Sequence, residues 1–152
     1  APYPEWAYGS AVCAGIGLLA LNLLMFIAKS KQFKALAKIA LPTSLFNITE
    51  PMMFGTPMIM NVILGIPFIL SPVISVLLTR LVMTIGLVAW PTGASSNMFI
   101  PSPIGMALLN AHWTGFVWGL VLIVINMALY YPFFLVADKR ALAQEKESEA
   151  AE

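Results

Sequence analysis

The stretch Asn47-Ile48-Thr49-Glu50-Pro51 holds the residues of this sequence that are best suited to chemistry. Glu50 supplies a carboxylate and Asn47 a carboxamide, and the two groups together can accept and donate hydrogen bonds to the hydroxyl groups of a carbohydrate. Glu50 lies in an apolar region, where a charged side chain costs about 2.5–3.5 kcal/mol on insertion into a membrane. We therefore expect the Glu50 side chain to be shielded from bulk water beside a polar cavity.

An ion pair between Glu50 and Arg80 is the alternative explanation. These two residues are the only Asp, Glu, Lys or Arg between Ile39 and Ala137. The pair would join two segments of a structural membrane subunit, or the two groups would bind ions in a non-phosphorylating secondary transporter or channel. The residues alone leave these functions open.

The composition indicates a membrane protein. Hydrophobic residues make up 60% of the 152 residues and charged residues only 10%, whereas a soluble domain carries about 25% charged residues. The net charge of +1 gives no sign of a nucleic-acid partner. We predict an all-α membrane protein embedded in a lipid bilayer.

Three apolar runs are long enough to cross a bilayer as helices: Gly9–Ala28, Asn61–Trp90 and Trp113–Ala137. A hydrocarbon core of about 30 Å requires about 20 helical residues. We therefore predict three transmembrane helices.

Two further apolar segments are interrupted by proline and glycine. Leu36–Met60 is predicted to form a re-entrant helical hairpin, whose two half-helices meet at Asn47–Gly55. Pro91–Ala111 is predicted to be a second broken segment with a short helix over Ile104–Asn110. Irregular backbone at membrane depth is tolerated where it is buried in protein or lines a cavity.

Two basic clusters flank the apolar region, a lysine-rich loop over residues 29–38 and a second cluster over residues 139–146. Positively charged loops face the cytoplasm, so we expect both clusters and the carboxyl terminus on that side. We assign residues 1–137 to a membrane domain and residues 138–152 to a cytoplasmic tail. Within this tail, the Ala- and Glu-rich composition of residues 141–152 is typical of a disordered segment.

The remaining polar groups give weaker signals. Cys13 lies in an apolar run and is interpreted as a packing residue, and no metal-binding or cofactor-binding motif is present. His112 is interpreted as a polar anchor at a membrane interface. Asn22 and Asn126 are expected to form hydrogen bonds between helices.

A series of motifs resembles one family of membrane proteins. The motifs are Phe46-Asn-Ile-Thr-Glu-Pro51, Phe54-Gly-Thr-Pro57, Asn61, Ile66-Pro-Phe-Ile-Leu-Ser-Pro72, Trp90-Pro91, Pro101-Ser-Pro103 and Tyr130-Tyr-Pro-Phe-Phe134, in this order. They resemble the membrane subunit, enzyme IIC, of the lactose/cellobiose/chitobiose branch of the phosphoenolpyruvate-dependent sugar phosphotransferase system.

The resemblance implies that the protein moves a β-linked disaccharide, such as cellobiose, chitobiose or lactose, across a bacterial cytoplasmic membrane. A phosphocysteine on a cytoplasmic B subunit then phosphorylates the sugar, so the chain would form part of a protein-phosphocysteine–sugar phosphotransferase. By the same resemblance, Glu50 contacts the sugar near the hydroxyl that receives the phosphate, and Asn47 is a supporting sugar contact.

The sequence departs from the family pattern in ways that affect the prediction. Thr49 stands where Asn is common, and Arg80 has no family role to carry over. The family also uses a histidine well upstream of the glutamate motif and an amino-terminal half that forms a homodimer. Both are expected to lie outside this chain, so we expect the chain to be a fragment that does not transport sugar by itself.

Overall fold

The computed structural model describes residues 14–56, 61–92 and 99–151. These ranges contain α-helices and no strand, so the predicted all-α fold is confirmed. The helices are α1 (Ala14–Met25), α2 (Lys31–Leu45), α3 (Glu50–Gly55), α4 (Val62–Ile85), α5 (Ser102–Asn110) and α6 (Trp113–Ala150). Cys13 lies outside the described residues.

Helices α4 and α6 are long and apolar enough to cross a membrane. Helix α4 has 24 residues and therefore extends about 36 Å. Pro67 and Pro72 lie inside α4, which ends at Gly86 in the left-handed conformation with a φ of 89°. The two predicted crossing helices are thus present, within Asn61–Trp90 and from Trp113 onward.

Helix α1 lies in the first predicted transmembrane run. Its 12 residues extend about 18 Å, less than the thickness of a hydrocarbon core. The beginning of the predicted run, residues 9–13, lies outside the described residues, so the prediction of a complete crossing by Gly9–Ala28 is not tested.

The first predicted broken segment contains a break and the second contains the predicted short helix, with different boundaries; residues 93–98 of the second segment lie outside the described residues. Helices α2 and α3 pack against each other and are separated by a break at residues 46–49. The break is shorter than the predicted Asn47–Gly55, because α3 already begins at Glu50. In the second segment, α5 begins at Ser102 rather than at Ile104, since Pro103 fits the first turn of a helix.

A row of buried polar side chains joins α4 to α6. Ser71, Ser75 and Thr79 follow one another at intervals of four residues and are at most 2% exposed. The Ser71 hydroxyl donates to Oδ1 of Asn126, and Nδ2 of Asn126 donates to Oγ of Ser75 at 2.9 Å. Nε1 of Trp118 donates to Oγ1 of Thr79 at 2.9 Å. The predicted interhelical role of Asn126 is confirmed.

The prediction of a lysine-rich loop over residues 29–38 is wrong for most of that range. Helix α2 begins at Lys31, with Ser30 as its N-cap. The backbone N–H groups of Lys29 and Ser30 donate to the Asp138 carboxylate at 2.9 and 3.0 Å. Because α6 supplies these acceptors, the start of α2 is stabilised by a tertiary contact that the local sequence does not show.

The expected disorder of the carboxyl-terminal tail is also wrong, since α6 continues to Ala150. Glu145 accepts hydrogen bonds from the Ser30 hydroxyl at 2.6 Å and from the backbone N–H of Gln32 at 2.9 Å. Lys31 forms an ion pair with Glu149 at 2.8 Å. These contacts, together with the high helix propensity of Ala and Glu, hold the tail in a helix.

The same contacts place the two basic clusters side by side. Asp138 and Glu145 of α6 bind residues 29–32, more than 100 positions earlier in the sequence. Both clusters therefore lie at one end of the molecule, as the prediction of a shared side of the membrane requires. Helix α6 has 38 residues and extends about 57 Å, so its polar end continues well beyond a hydrocarbon core of about 30 Å.

We predict that Asn126→Ala lowers the free energy of unfolding by about 1–3 kcal/mol, because buried hydroxyl groups lose a partner. A double-mutant cycle with Ser71→Ala should give a coupling energy of about 0.6 kcal/mol, the average for hydrogen bonds between membrane helices. Unfolding of the purified protein in detergent measures both quantities. Ser148→Ala, at an exposed position, is the control, and a coupling energy of zero would contradict the assignment.

We predict that Glu145→Gln lowers the thermal midpoint at neutral pH but not in acid. The Ser30 hydroxyl and the backbone N–H groups of Gln32 and Lys31 donate to the Glu145 carboxylate and lower its pKa. The folded state therefore favours the charged form, and this stabilisation is present above the unfolded pKa of about 4.3 and is lost as pH falls through the folded pKa.

Thermal unfolding of the wild type and Glu145→Gln at pH 7 and pH 3 tests this dependence. The difference between their midpoints should shrink in acid, whereas Glu147→Gln, at an exposed position of the same helix, should match the wild type at both values. An equal difference at both pH values would show that the carboxylate charge is not involved.

Candidate functional site

The break between α2 and α3 is built by backbone hydrogen bonds around Asn47. The N–H of Asn47 donates to the carbonyl of Ser44 at 3.2 Å, and the N–H of Ile48 donates to the carbonyl of Thr43 at 2.9 Å. Asn47 has a φ of 62°. This is a Schellman motif, in which the residue after the helix adopts the left-handed conformation. Asn adopts that conformation more readily than other residues with a side chain, which gives Asn47 a structural reason for its position.

Glu50 is the first residue of α3, and Pro51 follows it in the first turn. Proline is tolerated there because the first N–H groups of a helix have no intrahelical partner. A carboxylate in the first turn also interacts favourably with the helix dipole. The sequence Glu-Pro thus starts the second half of the hairpin.

The expectation that Glu50 is shielded from water is not met in the described chain, where the residue is exposed. Met52, two residues further on, is fully buried. Two residues correspond to a rotation of about 200° around a helix, so packing of Met52 against the core turns Glu50 to the opposite face. Phe46 and Phe54, four positions before and after Glu50, are also exposed, with 53% and 77% of their surface accessible.

Asn47 packs against α1. A Cβ atom added to Gly15 would lie 1.2 Å from Oδ1 of Asn47, so the Asn47 side chain occupies the space that this glycine leaves open. The Asn47 residue is half-buried. The orientation of its carboxamide is therefore set by a glycine that is 32 positions earlier in the sequence.

Asn22 joins α1 to both halves of the hairpin. Its Nδ2 atom lies 3.4 Å from the carbonyl oxygen of Ala37 in α2 and 3.3 Å from the sulfur of Met52 in α3. The Asn22 side chain is fully buried. Its predicted role as a hydrogen-bonding contact between helices is confirmed.

The other candidate residues lie apart from this break. Glu50 and Arg80, both in the described part of the chain, form no ion pair with each other; the ion pair found there joins Lys31 and Glu149. His112 is the N-cap of α6, and its Nδ1 atom accepts from the N–H of Thr114 at 3.3 Å. His112 thus has a local structural role as a helix cap.

A cavity of about 380 Å³ lies near the polar end of α6. The sequence analysis did not predict a cavity there. The lining residues are Gln32, Phe33, Thr56, Asn61, Val62, Ala137, Arg140, Ala141 and Gln144. Neither Asn47 nor Glu50 contributes to the lining of this cavity.

The fold and the break together define a class of protein. Two helices can cross a membrane, and a broken helical segment presents a carboxylate and a carboxamide. Broken helices with polar residues are a recurring feature of membrane transporters. The chain is therefore a helical membrane protein with the architecture of a transporter.

Comparison with known proteins identifies the family. The family described as "Phosphotransferase system, EIIC" matches residues 6–72. The lichenan permease IIC component of Bacillus subtilis (strain 168) is 41% identical over 134 residues, which cover 86% of this chain and 29% of the relative. The lactose-specific EIICB component of Lacticaseibacillus casei is 34% identical over 141 residues, 89% of this chain and 23% of the relative.

A solved structure gives the same result. The crystal structure of ChbC, the IIC component from the N,N'-diacetylchitobiose-specific phosphotransferase system, matches with a TM-score of 0.85 and 33% identity over 90% of this chain and 33% of that chain. The chain belongs to the EIIC family of the phosphotransferase system, as the motif resemblance predicted. It spans about a third or less of the length of these relatives.

Proposed function

We propose that this chain is the substrate-binding region of a sugar permease of the phosphotransferase system. The permease moves a β-linked disaccharide or a related sugar across the bacterial cytoplasmic membrane, coupled to phosphorylation by a phosphocysteine B subunit. The observation that carries the proposal is the break at residues 46–49, where a stable turn of the backbone brings Asn47 and Glu50 to adjoining helix ends.

The names of the relatives support this class of substrate. They refer to lichenan, an oligo-beta-mannoside, lactose and N,N'-diacetylchitobiose. All four are carbohydrates rich in hydroxyl groups, for which a carboxylate and a carboxamide are suitable hydrogen-bonding partners. Which of these sugars the chain binds depends on the shape of the complete cavity.

Glu50 has the chemistry that transfer of a phosphoryl group to a sugar requires. The sugar hydroxyl attacks the phosphorus, the bond between phosphorus and the cysteine sulfur breaks, and the hydroxyl loses its proton. A carboxylate within hydrogen-bonding distance orients that hydroxyl or accepts its proton. The phosphoryl group comes from the partner subunit, so this chain requires no nucleotide or metal for the step.

The exposure of Glu50 is compatible with this role if the site is completed by other parts of the subunit. Its relatives are three to four times longer than the matched region. We propose that the remainder of the subunit covers the face of α3 that carries Glu50 and supplies the upstream histidine and the dimer interface. We also propose that the membrane domain ends near Ala137 and that residues 138–152 lie on the cytoplasmic side.

The alternative functions are less well supported. A structural subunit relied on an ion pair between Glu50 and Arg80, and an ion-coupled secondary transporter or channel relied on these two groups binding or relaying ions. The two residues do not pair, and the relatives are named as phosphotransferase-system and permease components. We therefore favour the phosphotransferase function over both.

We predict that Glu50→Gln, in a full-length subunit that contains this chain, reduces phosphorylating sugar uptake by about 100-fold or more, the scale of lost general acid–base catalysis. The variant should still insert into the membrane, because Glu50 contributes no buried contact. Uptake of labelled sugar into cells that contain the phosphorylated B subunit measures the effect. Glu147→Gln is the matched control, and normal uptake by Glu50→Gln would remove Glu50 from the mechanism.

We predict that Gly15→Ala weakens sugar binding more than it weakens folding. The added methyl group would overlap Oδ1 of Asn47, so the far end of that side chain has to rotate away from its position. Sugar affinity of the purified full-length subunit should fall about tenfold, the equivalent of one lost hydrogen bond of about 1.4 kcal/mol.

Gly105→Ala is the control for this substitution. A Cβ atom at Gly105 meets only the carbonyl of Ile100, at 4.0 Å, so the variant should bind sugar normally. Unchanged affinity in Gly15→Ala would show that the Asn47 carboxamide does not contact the sugar in the orientation described.

A further inference from the structure

The beginning of α2 is held by acidic side chains that all come from α6. The carboxylate of Asp138 accepts from the N–H groups of Lys29 and Ser30. The carboxylate of Glu145 accepts from the Ser30 hydroxyl and from the N–H groups of Lys31 and Gln32. The first N–H groups of a helix have no intrahelical acceptor, and here α6 supplies acceptors for them.

Asp138 is the buried member of this group, with only 6% of its surface exposed. Burying a carboxylate is unfavourable unless hydrogen bonds compensate it. Its two oxygens bind two successive backbone N–H groups, at 2.9 and 3.0 Å. These two directional bonds hold the backbone immediately before α2, including its N-cap Ser30, against α6.

Helix α2 connects this anchor directly to the proposed sugar site. It is a single helix of 15 residues, with Pro42 in its last turn, about 22 Å long, and it ends at the break that contains Asn47. Apart from its start, where Phe33 packs near Phe134 with ring centroids 6.2 Å apart, α2 packs chiefly against α1. A displacement of its beginning is therefore transmitted along the helix to the break.

We propose that Asp138 is a positioning residue for the sugar site: it fixes α2 against α6 and thereby places Asn47 and Glu50. Asp138 does not touch the sugar and acts through the helix. The inference rests on the proposed function, since it assigns a consequence for sugar phosphorylation to a contact at the other end of α2. A misplacement of about 1 Å at a reacting group costs as much as 100-fold in rate.

Asp138→Asn tests the proposal in a full-length subunit. The side chain keeps its size, but one acceptor oxygen is replaced by an NH₂ group that faces a backbone N–H. We expect the rate of phosphorylating uptake per folded subunit to fall at least tenfold at saturating sugar, and KM to rise because Asn47 leaves its position. Glu147→Gln, an exposed change of charge on the same helix, should leave both parameters unchanged.

A distance measurement separates a positioning role from a general loss of stability. Spin labels at Lys34 and Lys146, both exposed, report the separation of α2 and α6. In Asp138→Asn the distance distribution should shift or broaden, and in Glu147→Gln it should not. If Asp138→Asn does not fold, Glu145→Gln, on the more exposed rim of the same contact, should show the same two changes at a smaller scale.

The outcomes distinguish this inference from the proposed function. A normal uptake rate in Asp138→Asn would overturn the inference whether or not the distance changes, and so would a reduced rate with an unchanged distance. Neither result bears on Glu50→Gln, whose loss of uptake supports the proposed function independently. Normal uptake by Glu50→Gln would refute the proposed function even if Asp138→Asn altered the distance.

Discussion

The carbonyl groups at the end of α2 are satisfied by N–H groups of the break itself, and the geometry of the candidate site depends on this arrangement. An unpaired backbone group in an apolar surrounding costs several kcal/mol, so a helix can stop there only where other donors replace the lost ones. The left-handed conformation of Asn47 aims two such donors back at Thr43 and Ser44. The chain then restarts at Glu50-Pro51, a sequence suited to a first helical turn.

The two ends of α2 are fixed by different kinds of contact. At the break, close packing dominates: Gly15 leaves room for the Asn47 side chain, and the buried Asn22 reaches both halves of the hairpin. At the other end, Asp138 and the tail of α6 supply charged acceptors. Interactions within the membrane region thus depend on shape and neutral hydrogen bonds, and charges are concentrated where α6 extends beyond the expected hydrocarbon thickness.

The sequence predicted those features that follow from local rules. The long apolar runs identified α4 and α6, and the prolines and glycines identified two broken segments. The helical state of the lysine-rich stretch and of the tail could not be predicted locally, because each supplies the other's missing hydrogen-bonding partners across more than 100 residues. The exposure of Glu50 was also missed: apolar surroundings in sequence indicate burial, but the packing of Met52 decides which face of α3 turns outward.

The central claim is that Glu50, at the start of α3, binds the sugar hydroxyl that receives the phosphoryl group. A structure of a full-length subunit containing this chain, determined with its sugar bound, tests this claim most directly. The account predicts a carboxylate oxygen of Glu50 within about 2.6–3.2 Å of a sugar hydroxyl, with other parts of the subunit enclosing both. A Glu50 carboxylate that faces lipid or bulk water, with the sugar bound elsewhere, would contradict it.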